Sequence, residues 1–274
     1  MLVAKRVGPA GTVAGILNQP LGRIQSRWIS LDGLRLHSRC SVDPVPSGRV
    51  PVVCVHGLSV SSRYMVPIAE RLAPYHRVYA LDFPGFGRSD KPHHIYSIAE
   101  LAEVLCHWMD RIGVANAVLL GNSLGCQIIA EAAVRNPDRV IRAILVGPTV
   151  DPQAHSLFRN GWRLLRDLRR ESLNSILTQG RDYLRSGPRR TVRTFQAALA
   201  DRIETKLPRM KMPTLIARGE YDPIVPQRWA EEAVRLLPDG RLAVLPGAPH
   251  AANFDAPDEL AEIVLDFLGT VERG

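Results

Sequence analysis

The sequence is short of cysteine, and Cys40, Cys54, Cys106 and Cys126 include no C-x-x-C pair. In a chain of 274 residues they read as small buried hydrophobes of a reducing compartment, not as a disulfide framework. None stands at metal-ligand spacing from a histidine, so neither metal nor cofactor is expected. Aromatic residues make up only 6% and do not interleave with basic ones, which argues against a nucleic-acid partner. No run approaches the ~20 apolar residues of a membrane span. Lys5 and Arg6 precede a mildly apolar stretch, but Gly8, Pro9, Gly11 and Gly15 break it. No secretory leader is therefore expected, and the cytoplasm is the expected compartment. Internal repeats and low-complexity tracts are also lacking.

What is present is enough for a large core: 46% hydrophobic residues against 23% charged ones. A chain of this size buries about three quarters of its unfolded surface, and a net charge of +8 is too small to keep it disordered. The charge is concentrated. Between Arg159 and Arg193 ten arginines face only Asp167, Glu171 and Asp182, a net +7 that leaves +1 for the other 239 residues. The segment, not the whole chain, is basic.

Along the chain, Asp32-Gly33 between two extended runs signals a hairpin. Short apolar runs then alternate with helical patterns. Strands are expected at 50–55, 77–82, 117–121, 143–147, 214–218 and 241–245. Helices are expected at 62–73, 97–112, 123–135, 227–236 and 257–268. Such alternation implies βαβ units, a parallel sheet and helices on both faces, an α/β doubly wound fold. Its chemistry gathers beyond the carboxyl ends of the strands. The rhythm stops from Pro148 to Met212, where the pattern is helical. The expected division is an N-terminal arm at 1–25, a core at 26–147 and 213–274, and a helical cap or lid at 148–212.

Gly121-Asn122-Ser123-Leu124-Gly125 fits G-x-S-x-G between an apolar strand and a helix. So sharp a turn pushes the Ser123 hydroxyl into the cleft and leaves no room for β-carbons on either side. The base should lie past a later strand, in the chain order serine, acid, histidine. His250, beyond the strand ending at Leu245, fits. Asp222, beyond the strand ending at Arg218, is the expected acid, with Glu220 and Asp151 as rivals. His56-Gly57-Leu58 follows the first buried strand. There the glycine lets the Leu58 N–H join that of Leu124 as an oxyanion hole. His56 and Gly57 are also candidates for touching substrate, although a structural role for His56 is favoured.

These residues, together with Asp82-Phe83-Pro84-Gly85-Phe86-Gly87-Arg88-Ser89-Asp90, make residues 26–270 resemble an α/β-hydrolase with a helical cap. The resemblance implies an eight-stranded, mostly parallel sheet and a Ser123, Asp222 and His250 triad. It also implies a structural role for Asp82 and Asp90. Relatives that break carbon–halogen bonds or epoxides use aspartate where Ser123 stands, so acyl chemistry is expected. The first choice is a small to medium carboxylester or thioester, with carbon–carbon hydrolysis of vinylogous diketones as the alternative. A non-hydrolytic binding protein, an acyltransferase and a cofactor-independent oxygenase are minor readings. Two positions depart from the commonest pattern: Cys126, where many relatives have glycine, and Ser59, which leaves the oxyanion loop less glycine-rich and argues mildly against bulky alcohols.

In the cap, Arg159, Arg163, Arg166 and Arg170 share one helical face, while Phe158, Trp162, Leu165 and Leu168 form a neighbouring stripe. Trp162 is the cap's candidate for substrate contact. The arginine face leaves three readings open: a solvated surface, a weak contact with a membrane surface or acidic partner, or recognition of an acidic substrate. The expected partner is a small-molecule acyl substrate, and the expected state is a monomer or homodimer.

Overall fold

Asp32 and Gly33 take φ values of 48° and 78°, the left-handed pair that a two-residue hairpin needs. They join β1 (Ile24–Leu31) to antiparallel β2 (Leu34–Ser41) with Leu31 opposite Leu34. The structure, a computed structural model, describes residues 21–154 and 170–269. The first twenty residues of the expected arm, and Arg159, Trp162, Arg163 and Arg166 of the cap, lie outside the described residues.

The other strands are β3 (Val52–Val55), β4 (Val78–Leu81), β5 (Ala117–Asn122), β6 (Val140–Val146), β7 (Thr214–Gly219) and β8 (Gly240–Leu245). The described residues form one eight-stranded sheet in the order β1-β2-β4-β3-β5-β6-β7-β8. Pairing is antiparallel from β1 through β2 to β4 and parallel from there on. This is the mostly parallel, doubly wound sheet that the alternation implies. β3, β5 and β7 are buried along their whole length, which is why they read as apolar runs, broken only near their ends by Asn122, Thr214 and Arg218. β6 starts three residues before its expected beginning. Arg142 interrupts its apolar run, but the guanidinium reaches the sheet margin and donates to the Leu268 carbonyl.

The helices are α1 (Val66–Leu72), α2 (Ile98–Arg111), α3 (Leu124–Arg135), α4 (Leu173–Ser186), α5 (Pro188–Ala200), α6 (Ile203–Lys206), α7 (Gln227–Leu236), α8 (Ala252–Asp255) and α9 (Pro257–Leu268). A capping box starts α2: Ser97 accepts from the Glu100 amide while Glu100 accepts from the Ser97 amide. The expected helix from Ser62 begins as a 3-10 turn, Ser62–Met65, before α1. Two apolar layers sandwich the sheet. One holds Leu105 and Trp108 of α2, Ile129 of α3 and Trp229 of α7; the other holds Ile68 and Leu72 of α1 and Leu260 and Val264 of α9. α4, α5 and α6 lie in sequence between β6 and β7. Among the described residues no helix is long and apolar enough to cross a membrane.

Asp82, just past β4, ties the β4 end to its surroundings. Its carboxylate accepts from the Ser62 amide at 2.6 Å and the Arg88 amide at 2.8 Å, and His37 Nδ1 lies 2.8 Å away. Burial alone would raise its pKa, but hydrogen bonds from His37, Ser62 and Arg88 outweigh that and hold it at about 2, below the ordinary 3.8. The ionised carboxylate therefore stabilises the fold above pH 4, and the contribution disappears as pH falls towards 2. Asp82→Asn should cost about 2 kcal/mol near neutrality. In urea titrations the gap from wild type should close in strong acid.

Candidate active site

β5 ends at Asn122 and α3 begins at Leu124, leaving Ser123 alone on the turn with φ 56° and ψ −118°. That conformation costs a residue bearing a side chain about 1–3 kcal/mol and persists only where packing imposes it. The packing is visible in the flanking glycines. A β-carbon on Gly121 would sit 2.7 Å from the Gly125 carbonyl carbon, and one on Gly125 would sit 2.3 Å from the Val55 oxygen. Neither position admits a side chain while the turn keeps its shape. The Ser123 amide donates to Val146 O at 2.9 Å, and the positive end of α3 lies directly behind the hydroxyl.

Asp222 follows β7, and His250 follows β8. The Asp222 Oδ2 atom lies 2.7 Å from His250 Nδ1. Its Oδ1 accepts from the Ile224 and Val225 amides at 2.7 and 2.9 Å. Two backbone donors thus fix the carboxylate, and the carboxylate fixes the ring. Ser123 and His250 line one cleft together with Gly57, Leu58 and Leu124. The cleft holds about 680 Å³, part of it open to solvent, and its walls include Val60, Tyr64, Val150, Tyr183 and Phe195. A mostly apolar lining with a few convergent polar groups is the usual character of small-ligand sites.

The sequence profile of the alpha/beta hydrolase family matches residues 52–263, well over half of the chain. The chain belongs to that family. It is 26% identical over 268 residues to an uncharacterized hydrolase of Bacillus subtilis, covering 88% of this chain and 97% of that one. It is 28% identical over 250 residues to a pimeloyl-(acyl-carrier protein) methyl ester esterase of Edwardsiella ictaluri, covering 81% and 94%. Among solved structures, the enol-lactonase from Burkholderia xenovorans superposes with a TM-score of 0.74 at 22% identity, covering 89% of this chain and all of that one. That last likeness concerns the fold.

In this α/β-hydrolase the rival acids have other partners. Glu220 Oε2 accepts from the Gly247 amide at 2.9 Å, and Asp151 pairs with Arg228. His56 is buried and bridges two loops: Nδ1 lies 2.9 Å from Gly57 O, and Nε2 accepts from the Phe83 amide at 3.3 Å. Burial lowers its pKa, and the neutral ring satisfies both bonds. Of the three residues considered for substrate contact, Gly57 lines the cleft, His56 is not among its lining residues and Trp162 lies outside the described residues. Cys126 is buried with its thiol against the Gly121 and Val146 carbonyls, and burial holds the thiol protonated, so it is packing and not chemistry.

Ser59 occupies the left-handed region at φ 55°. α4 and α5 hold it there: its hydroxyl donates to Thr191 Oγ1 at 2.8 Å, and Ser186 Oγ donates to its carbonyl at 3.3 Å. Two residues on, Ser61 Oγ donates to the buried Asp182 carboxylate. Arg190 adds a further link, donating to the Pro92 and His94 carbonyls. Its guanidinium lies where a β-carbon on Gly85 would be.

Three supporting residues escape sequence reasoning. Asn122 Nδ2 donates to His250 O at 3.2 Å, across 128 residues. Arg218 is buried in β7 and cradles the acid loop, donating to Val225 O, Gln227 Oε1, Glu220 O and Asp222 O. A lone arginine in an apolar strand was the available signal. Gly147, with φ 57°, packs beneath the pair: a β-carbon there would lie 2.8 Å from His250 Nδ1 and 3.2 Å from Asp222 Oδ2. Gly147→Ala should push the imidazole aside and lower kcat about a hundredfold. It should also cost about 1–3 kcal/mol; steady-state kinetics beside a urea titration separate the two effects.

Proposed function

We propose that the protein is a serine hydrolase that cleaves a small to medium carboxylester or thioester through an acyl-enzyme. The observation that carries this reading is His250, hydrogen-bonded to Asp222 and lining one mostly apolar cleft with the strained Ser123. The Ser123 Oγ attacks the acyl carbon as His250 Nε2 takes its proton, and Asp222 stabilises the resulting imidazolium. The Leu58 and Leu124 amides receive the oxyanion, and expulsion of the alcohol or thiol, protonated by His250, leaves the acyl-serine. Water then adds to the acyl carbon, giving its proton to His250; collapse releases the acid and returns that proton to Ser123.

The cleft lining supports a neutral acyl group. Glu171 is the one acidic residue among the described residues that line it, accepting from Ser175 at 3.1 Å and from Gln179, and a second carboxylate beside it would be repelled. The methyl ester esterase named above is a relative acting on an ester, which agrees with this substrate class. Residues 148–212 are proposed as the cap, with Tyr183, Phe195 and Ala198 on its inner side.

A fluorophosphonate probe should label the intact chain with one equivalent, and absence of labelling would overturn the reading. Kinetics on p-nitrophenyl esters of rising acyl length, run beside a ring-cleavage dienone, test the substrate class. Turnover of the dienone alone would replace it with carbon–carbon hydrolysis.

A further inference from the structure

α4 and α5 carry two apolar stripes each has reason to explain separately. The inner stripe faces the cleft through Tyr183 of α4 and Phe195 and Ala198 of α5. The outer one packs into neither apolar layer among the described residues. Leu173, Leu177 and Leu184 of α4 fall at offsets 0, 4 and 11, on a single helical face. They are 78, 70 and 86% exposed, and Val192 of α5 is 53% exposed. A large exposed apolar patch of this kind marks an interaction site.

The charges around it narrow the partner. Arg181, Arg185, Arg189 and Arg193 are all exposed, and the only acid between 173 and 200, Asp182, is buried against Ser61. Among the described residues the outer surface of these helices is thus leucine fringed by cations that no acid of the same two helices faces. Arginine also suits an interface, since its apolar stem can lie among hydrocarbon while the guanidinium meets a phosphate.

We propose that the outer face of α4 and α5 docks on a membrane surface rich in anionic phospholipid. Leu173, Leu177 and Leu184 enter the boundary between headgroups and acyl chains, and the four arginines pair with lipid phosphates. Attachment is peripheral and rests on this combination of buried apolar area and charge attraction. It stands independently of the chemistry proposed for Ser123.

The test is co-sedimentation of the full chain with two kinds of vesicle, phosphatidylcholine alone and phosphatidylcholine with about a third phosphatidylglycerol. Partition should be at least about tenfold stronger on the anionic vesicles and should collapse on raising salt from about 0.1 to about 0.5 M. Arg181→Gln with Arg185→Gln should weaken it about 25-fold, from roughly fivefold per charge. Leu177→Ser with Leu184→Ser should weaken it at least about tenfold. Both double variants should hydrolyse a short water-soluble ester, and take up the fluorophosphonate, as wild type does.

Equal partition on the two vesicles, or none on either, overturns the proposal using wild type alone. Retention on immobilised polyglutamate without vesicle binding would assign the face to an acidic polypeptide instead. A dimer in gel filtration that the leucine substitutions dissolve would assign it to a second copy of the chain.

Discussion

Replacing Ser123 by alanine is expected to lower turnover of the preferred ester about a millionfold, the loss typical of a removed nucleophile in such a triad. The reason is local. The turn between β5 and α3 brings one hydroxyl into the cleft beside His250, and Leu58 and Leu124 lie around it. Without that oxygen no acyl-enzyme forms, and only the oxyanion donors and the cleft remain to assist direct attack by water. Alanine at φ 56° carries the same backbone strain as serine, so the fold should be preserved. The measurements are kcat on the ester, circular dichroism and loss of fluorophosphonate labelling. Retention of more than about a hundredth of wild-type turnover would remove Ser123 from the mechanism.

Asp222→Asn is expected to cost about ten-thousandfold in kcat. An asparagine Oδ1 can still accept from the Ile224 and Val225 amides, so the loop should keep its shape. The other end of the amide then presents N–H to His250 Nδ1, where a carboxylate oxygen stood at 2.7 Å. The ring must accept that bond at Nδ1, which places its own proton on Nε2. A protonated Nε2 cannot take the Ser123 proton, and the positive charge formed later has no counter-charge. Measuring kcat beside a thermal melt distinguishes this from unfolding. Near-normal turnover would move the acid to Glu220 or Asp151, despite their bonds to Gly247 and Arg228.

How much of this was legible follows from the range of the forces involved. Gly121 and Gly125 announce their turn because the collisions they avoid lie within the elbow or the adjoining β3 strand. The sheet was legible because β3, β5 and β7 are buried throughout and admit almost only apolar residues. The chain order of serine, acid and histidine pointed to Asp222 and His250, which lie 2.7 Å apart, and to Ser123, which lines one cleft with His250. Gly147 was not legible: its need for φ 57° and for empty space comes from His250, 103 positions away. Asn122 and Arg218 act mainly through backbone carbonyls, which leave no mark in sequence, so only the charge of Arg218 in an apolar strand hinted at its role. Leu173, Leu177 and Leu184 stand at helical spacing, which ordinarily marks an inward face, yet they face out.

The contacts from Thr191, Ser186 and Asp182 to Ser59 and Ser61 join the two halves of the enzyme's work. The helices proposed as a cap are tied to the same short loop that carries the proposed oxyanion donor, the Leu58 amide. Swinging α4 and α5 away to admit a bulky reactant would withdraw the restraints on that loop at the same moment. On the proposed reading, access and catalytic readiness are a single mechanical variable: the wider the door stands, the less prepared the machinery behind it.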